Sequence, residues 1–188
     1  MSTLKVSTIS PLGTDATKTI TLGESGGTLG IASGAKTSGF GKIGQVINAT
    51  TTTQVQSTSG TFTDSTIVAS ITPSSTSSKI IINIQMFCQL FGNSVDAQVN
   101  GKYQIVRTIG GSATNLFTSN NNPRYDDFDE STDFFMFNFP ILHVDSPSTT
   151  SACEYKIQIA SGAGTGNSRF SAQQDSQPSN IVLMEVLD

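Results

Sequence analysis

Residues 79–90 read Lys79-Ile80-Ile81-Ile82-Asn83-Ile84-Gln85-Met86-Phe87-Cys88-Gln89-Leu90. Every even position is apolar, whereas Asn83, Gln85 and Gln89 stand at odd positions. Successive side chains of a strand point to opposite faces, so this period of two marks a half-buried β-strand. Its even set, Ile80, Ile82, Ile84, Met86, Cys88 and Leu90, is expected to face a core. Residues 153–160 repeat the scheme, with Cys153, Tyr155, Ile157 and Ile159 set against Glu154, Lys156 and Gln158.

Working outward from these two strands, further strand-like runs occupy residues 45–49, 61–63, 65–71, 98–99, 103–109, 115–118, 133–144, 168–172 and 181–187. Turn chemistry separates them: Pro73 with Ser74-Ser75, Asn100-Gly101, Gly110-Gly111, Asp145-Ser146-Pro147, and residues 162–167. Asn100-Gly101 is the sharpest hairpin signal of the set. Composition agrees, because Ser and Thr make up roughly a quarter of the chain and, with 17 Gly, crowd out helix formers. The expected fold is all-β: an antiparallel β-sandwich, jelly-roll-like, over residues 45–188.

Residues 1–44 differ. Short alternating runs at 4–9 and 18–22 are followed by a glycine-rich stretch with few large apolar groups. Such a segment has too little to bury against the entropy of ordering, so it is expected to act as a β-repeat stalk completed by neighbouring chains. A second feature also asks for partners. Residues 134–142, Phe134-Phe135-Met136-Phe137-Asn138-Phe139-Pro140-Ile141-Leu142, are apolar on both faces. One face fills the sandwich, and the other is either covered by a loop of the same chain or forms a subunit interface, with Phe134, Met136, Phe137 and Phe139 as its candidates.

Several function classes are disfavoured. A formal charge of −4, from 10 Lys and Arg against 14 Asp and Glu, offers no basic stripe for nucleic acid or an anionic membrane. No apolar run reaches the ~20 residues of a membrane span, and the first residues lack the apolar core of a signal peptide, so cytoplasmic synthesis is expected. Cys88 and Cys153 are expected in the core rather than in a disulfide or a metal site. With His143 the only histidine, set in an apolar strand, neither a catalytic triad nor a two-histidine metal site is expected, and no cofactor is called for.

The one concentration of acid is Asp126, Asp127, Asp129, Glu130 and Asp133, following Asn120-Asn121-Asn122-Pro123-Arg124-Tyr125. It lacks the spacing of a calcium loop, and a chain without Trp is poor in platforms for sugar cleavage. A solvated loop is the plain reading. A recognition loop is the functional one, with Asn121, Arg124, Tyr125 and Asp127 as candidate receptor contacts.

Residues 69–80, Ala69-Ser70-Ile71-Thr72-Pro73-Ser74-Ser75-Thr76-Ser77-Ser78-Lys79-Ile80, resemble the C-terminal domains of virion fibre proteins of tailed bacteriophages, marine phages in particular. The closing Ser179-Asn180-Ile181-Val182-Leu183-Met184-Glu185-Val186 is similar to the terminal strand of those domains, and residues 18–35 to the short β-repeat of their shafts. The resemblance implies a homotrimer built into the virion, whose distal head contacts a glycan or protein of the host surface while the N-terminal region meets other tail or capsid proteins. It carries over no catalytic residue. A single shaft repeat leaves two alternatives beside a receptor-binding tail fibre: a decoration or adaptor protein without a receptor role, and a glycan depolymerase.

Overall fold

The computed structural model describes residues 43–92, 97–119, 125–128, 133–162 and 169–187. Of residues 1–44, where the sequence predicts a stalk, 1–42 lie outside the described residues. The elements are β1 (Ile43–Thr51), β2 (Val55–Ser57), β3 (Thr63–Ile71), β4 (Lys79–Gly92), β5 (Ala97–Ile109), β6 (Ser112–Thr118), β7 (Tyr125–Phe128), β8 (Asp133–Asp145), β9 (Cys153–Ser161), β10 (Arg169–Ala172) and β11 (Ser179–Val186), with a 3-10 turn at Gln174–Ser176.

β4 is the spine of one sheet. β8 pairs along one of its edges from residue 80 to residue 92, while β11 and β10 share the other edge, opposite residues 79–85 and 88–91. β1 extends this sheet beyond β11, and β2 extends it beyond β10. The second sheet runs β3-β9-β5-β6, with β7 paired to β5, and every pairing is antiparallel. Thus β1-β11-β4-β8 packs against β3-β9-β5-β6, the interleaved order of a jelly roll.

The core forms as the parity requires. Ile80, Ile82, Ile84, Met86, Cys88 and Leu90 are fully buried from one sheet, and Cys153, Tyr155, Ile157 and Ile159 from the other. Each large aliphatic side chain so placed contributes about 1.5–3 kcal/mol. Both cysteines are free and buried. The hydroxyl-rich composition has a local use, because serines satisfy backbone groups where the ladders are interrupted. Ser65 Oγ donates to the Ile157 carbonyl at 2.7 Å and accepts from the Ile67 N–H at 3.2 Å, beside the register shift between Asp64 and Val68. Ser119 Oγ accepts from the Tyr103 N–H, and Ser179 Oγ from the Phe87 N–H, each at 2.9 Å.

Turn readings divide. Gly110 and Gly111 have φ of 55° and 83° and form the two-residue hairpin between β5 and β6, as left-handed glycines should. Asn100-Gly101, expected as the strongest hairpin, instead lies inside β5. The reason is packing: a Cβ on Gly101 would sit 2.7 Å from the ring of Phe170, a fully buried side chain. Its bare backbone admits an aromatic ring rather than turning the chain. Run 65–71 lies in β3, which takes only Thr63 of run 61–63, whereas β2 and β7 fall outside the expected runs.

Candidate functional site

β8 carries the two-sided apolar run and lies at the edge of its sheet, paired only to β4 among the described residues. Pro140 fits there, since a residue without an N–H is tolerated on an edge strand. Register sorts the side chains. Phe135, Phe137, Phe139, Ile141, His143 and Asp145 stand opposite the core-facing even residues of β4 and turn inward. Phe134, Met136, Asn138, Pro140, Leu142 and Val144 stand opposite its odd residues and turn outward. The structure therefore separates the candidate interface residues: Phe134 is exposed and Met136 half-buried on the outer face, while Phe137 and Phe139 pack against the core.

Beside this edge is a cleft of about 250 Å³ lined by Tyr103, Ile105, Phe117, Pro140, Ile141, Leu142 and His143. It opens between β8 of one sheet and the β5–β6 pair of the other. The Tyr103 ring meets Phe139 edge-on at 5.5 Å and Phe117 at 5.7 Å, and His143 lies 6.4 Å from Phe117. Burial pushes the Tyr103 phenol up from its ordinary value. The lining offers aromatic and aliphatic faces with two polar heads, and no carboxylate or thiol.

At the far end of β8 polar groups of three strands meet at one carboxylate, with Arg107 Nε left buried and unpaired. Asp145 accepts two bonds from Arg107 Nη1, at 2.8 and 3.0 Å, and one from the Tyr155 hydroxyl at 2.7 Å. Burial first, and then the Asp145 carboxylate, push the Tyr155 phenol far up. Burial likewise raises the Cys153 thiol, against the neighbouring Arg107. This cluster ties β8 to β5 and β9 across the two sheets. A second buried carboxylate, Glu185, accepts from the Ser74 N–H at 2.6 Å and from the Ser74 hydroxyl, the Ser78 hydroxyl and Gln45 Nε2, each at 2.7 Å. Burial alone would raise its pKa, but the donors from Ser78, Gln45 and Ser74 outweigh that and hold it below the ordinary value.

The acidic stretch is only partly in view. Asn121 and Arg124 lie outside the described residues. Tyr125 and Asp127, expected in a loop, belong to β7, where their backbones pair with Asn100 and Gln98 of β5. Tyr125, Asp126, Asp127 and Phe128 show no period of two, so the sequence carries no strand signal there. Beside this cleft and edge, Phe117 on β6 and Val144 on β8 are exposed as well. Continuing the parity of residues 134–142 by one step finds Val144; nothing in the sequence around Phe117 marks it.

No protein-family model and no curated protein matches the chain. Among solved structures, that of infectious bursal disease virus Gx strain is 16% identical with a TM-score of 0.32, over 77% of this chain and 37% of that one. The infectious bursal disease virus VP2 subviral particle matches at 16% identity and a TM-score of 0.30, over 77% and 37%. Eiger TNF from S. frugiperda is 11% identical with a TM-score of 0.29, over 76% of this chain and 94% of that one. The chain thus spans little more than a third of the viral proteins it matches. These are distant likenesses between β-sandwiches.

Proposed function

We propose that this chain is a virion structural fibre protein, a tail fibre that assembles as a homotrimer and contacts the host surface. The supporting observation is the edge strand β8, which is apolar on its outward as well as its inward side, with Leu142 73% and Phe134 55% exposed. An edge strand with outward Phe and Leu is a liability for a solitary domain and an asset for one that works in an assembly. The reading agrees with the stalk expected of residues 1–44 and with the fibre-like residues 69–80 and 179–186. It assigns no catalysis. The protein acts by adhesion, and three linked copies turn weak single contacts into durable attachment through effective concentration.

Two experiments test it. Antibody raised against the purified protein should label intact virions at a projecting fibre or spike, and virions that bind none would contradict the reading. Purified protein added to host cells beforehand should compete with virion adsorption. Labelled virions with undiminished adsorption would favour a decoration or adaptor protein, and release of new reducing ends from host polysaccharide would favour a depolymerase.

A further inference from the structure

We infer that a second copy of this chain docks on the outer face of the β4 sheet. The inference rests on the assembly proposed above, not on the receptor, and concerns where the copies meet. Register aligns that face in rows across four strands. Val46 of β1 pairs with Met184 of β11, Met184 with Ile81 of β4, and Ile81 with Val144 of β8. The next row reads Asn48, Val182, Asn83, Leu142, and the one after it Thr50, Asn180, Gln85, Pro140. No residue of the three rows is charged.

The opposite sheet provides an internal comparison. Its outer face carries Asp64, Glu154, Lys156 and Lys102, with an ion pair of 2.7 Å between Lys156 and Asp64. That is how this chain dresses a sheet facing water. The contrast marks the β4 face for covering, and its chemistry selects the occupant. A membrane or nucleic acid would call for Lys or Arg, and a partner steered by charge would call for complementary charges. These three rows have neither, in a chain of net charge −4; the cations of the face stand at their margins, Lys79 beyond the first row and Arg169 over the Phe91 ring, so the rows are where two identical acidic molecules can meet without like-charge repulsion. Their polar members, Asn48, Asn83, Asn180, Gln85 and Thr50, each donate and accept hydrogen bonds, so the uncharged surface of a neighbouring copy can satisfy them while the row of Val46, Met184, Ile81 and Val144 is buried.

The test uses the full chain, with Val144→Glu and, separately, Val46→Glu at the two ends of the first row, and Val68→Glu on the other sheet as control. Val144 and Val46 are 53% and 56% exposed, so the fold tolerates the change. Masses are read by light scattering, with circular dichroism to verify the β fold. The unaltered chain and Val68→Glu should run as the same oligomer, and both row variants should fall to the mass of one chain, 19.8 kDa. If one row variant misfolds, the other decides. Folded row variants that keep the oligomeric mass would overturn the docking face while the proposed assembly stands; an unaltered chain that is monomeric would overturn both.

Discussion

The Tyr155 hydroxyl donates to Oδ2 of Asp145 at 2.7 Å, joining β9 of one sheet to β8 of the other. Arg107 Nη1 of β5 reaches the same oxygen at 2.8 Å, so one carboxylate of β8 holds groups from two further strands. Losing one donor and losing the acceptor should differ. Tyr155→Phe removes a hydrogen bond to a charged group and should cost about 2 kcal/mol. Asp145→Ala strands Arg107 and the tyrosine hydroxyl together and should cost about 3 kcal/mol or more. Denaturant unfolding of the two variants measures both; equal and small losses would mean that the cluster is surface decoration.

Glu185 makes stability depend on acid pH. Its folded-state pKa is held below the ordinary 4.5, so its contribution is complete above that value and is lost as pH falls through the folded value. Glu185→Gln should cost about 2 kcal/mol at neutral pH. The gap to the unaltered protein should narrow steadily below pH 4.5. Unfolding curves taken between neutral pH and strong acid check this, and a gap independent of pH would remove Glu185 as the titrating group.

Gly101 separates the two meanings of a glycine. If it served a turn, alanine would be opposed by backbone strain; in β5 the obstacle is the Phe170 ring, 2.7 Å from where the Cβ would be. Gly101→Ala should therefore cost about 1–3 kcal/mol as an overpacked core. Pairing it with Phe170→Leu, which vacates part of that space, should recover some of the loss. Additive losses in the double variant would argue that the two positions do not meet.

The parts of the fold legible in the sequence are those governed by a period of two. Ile80 to Leu90 and Cys153 to Ile159 turned inward as their alternation requires, because a buried face allows no slip of register. Gly110-Gly111 was legible since two left-handed residues have few alternatives to glycine. Asn100-Gly101 misleads because the same dipeptide can serve a turn or admit a ring, and Phe170 lies far along the chain from Gly101. The Ser-rich residues 69–80 and the closing residues 179–186 were noted as separate features. In the fold they meet at one carboxylate, where Ser74 and Ser78 bind Glu185. Of the site, the apolar character of β8 was legible. Its edge position and the cleft beside Phe117 were not, being products of sheet order rather than of local pattern.

A homotrimeric fibre protein is trimeric as the full-length chain in solution. Light scattering across a range of concentrations should return three times the 19.8 kDa of one chain, with no monomer at the lowest concentration measured. A monodisperse particle of 19.8 kDa throughout that range would contradict it, and the outward apolar face of β8 would then belong to a domain that works alone.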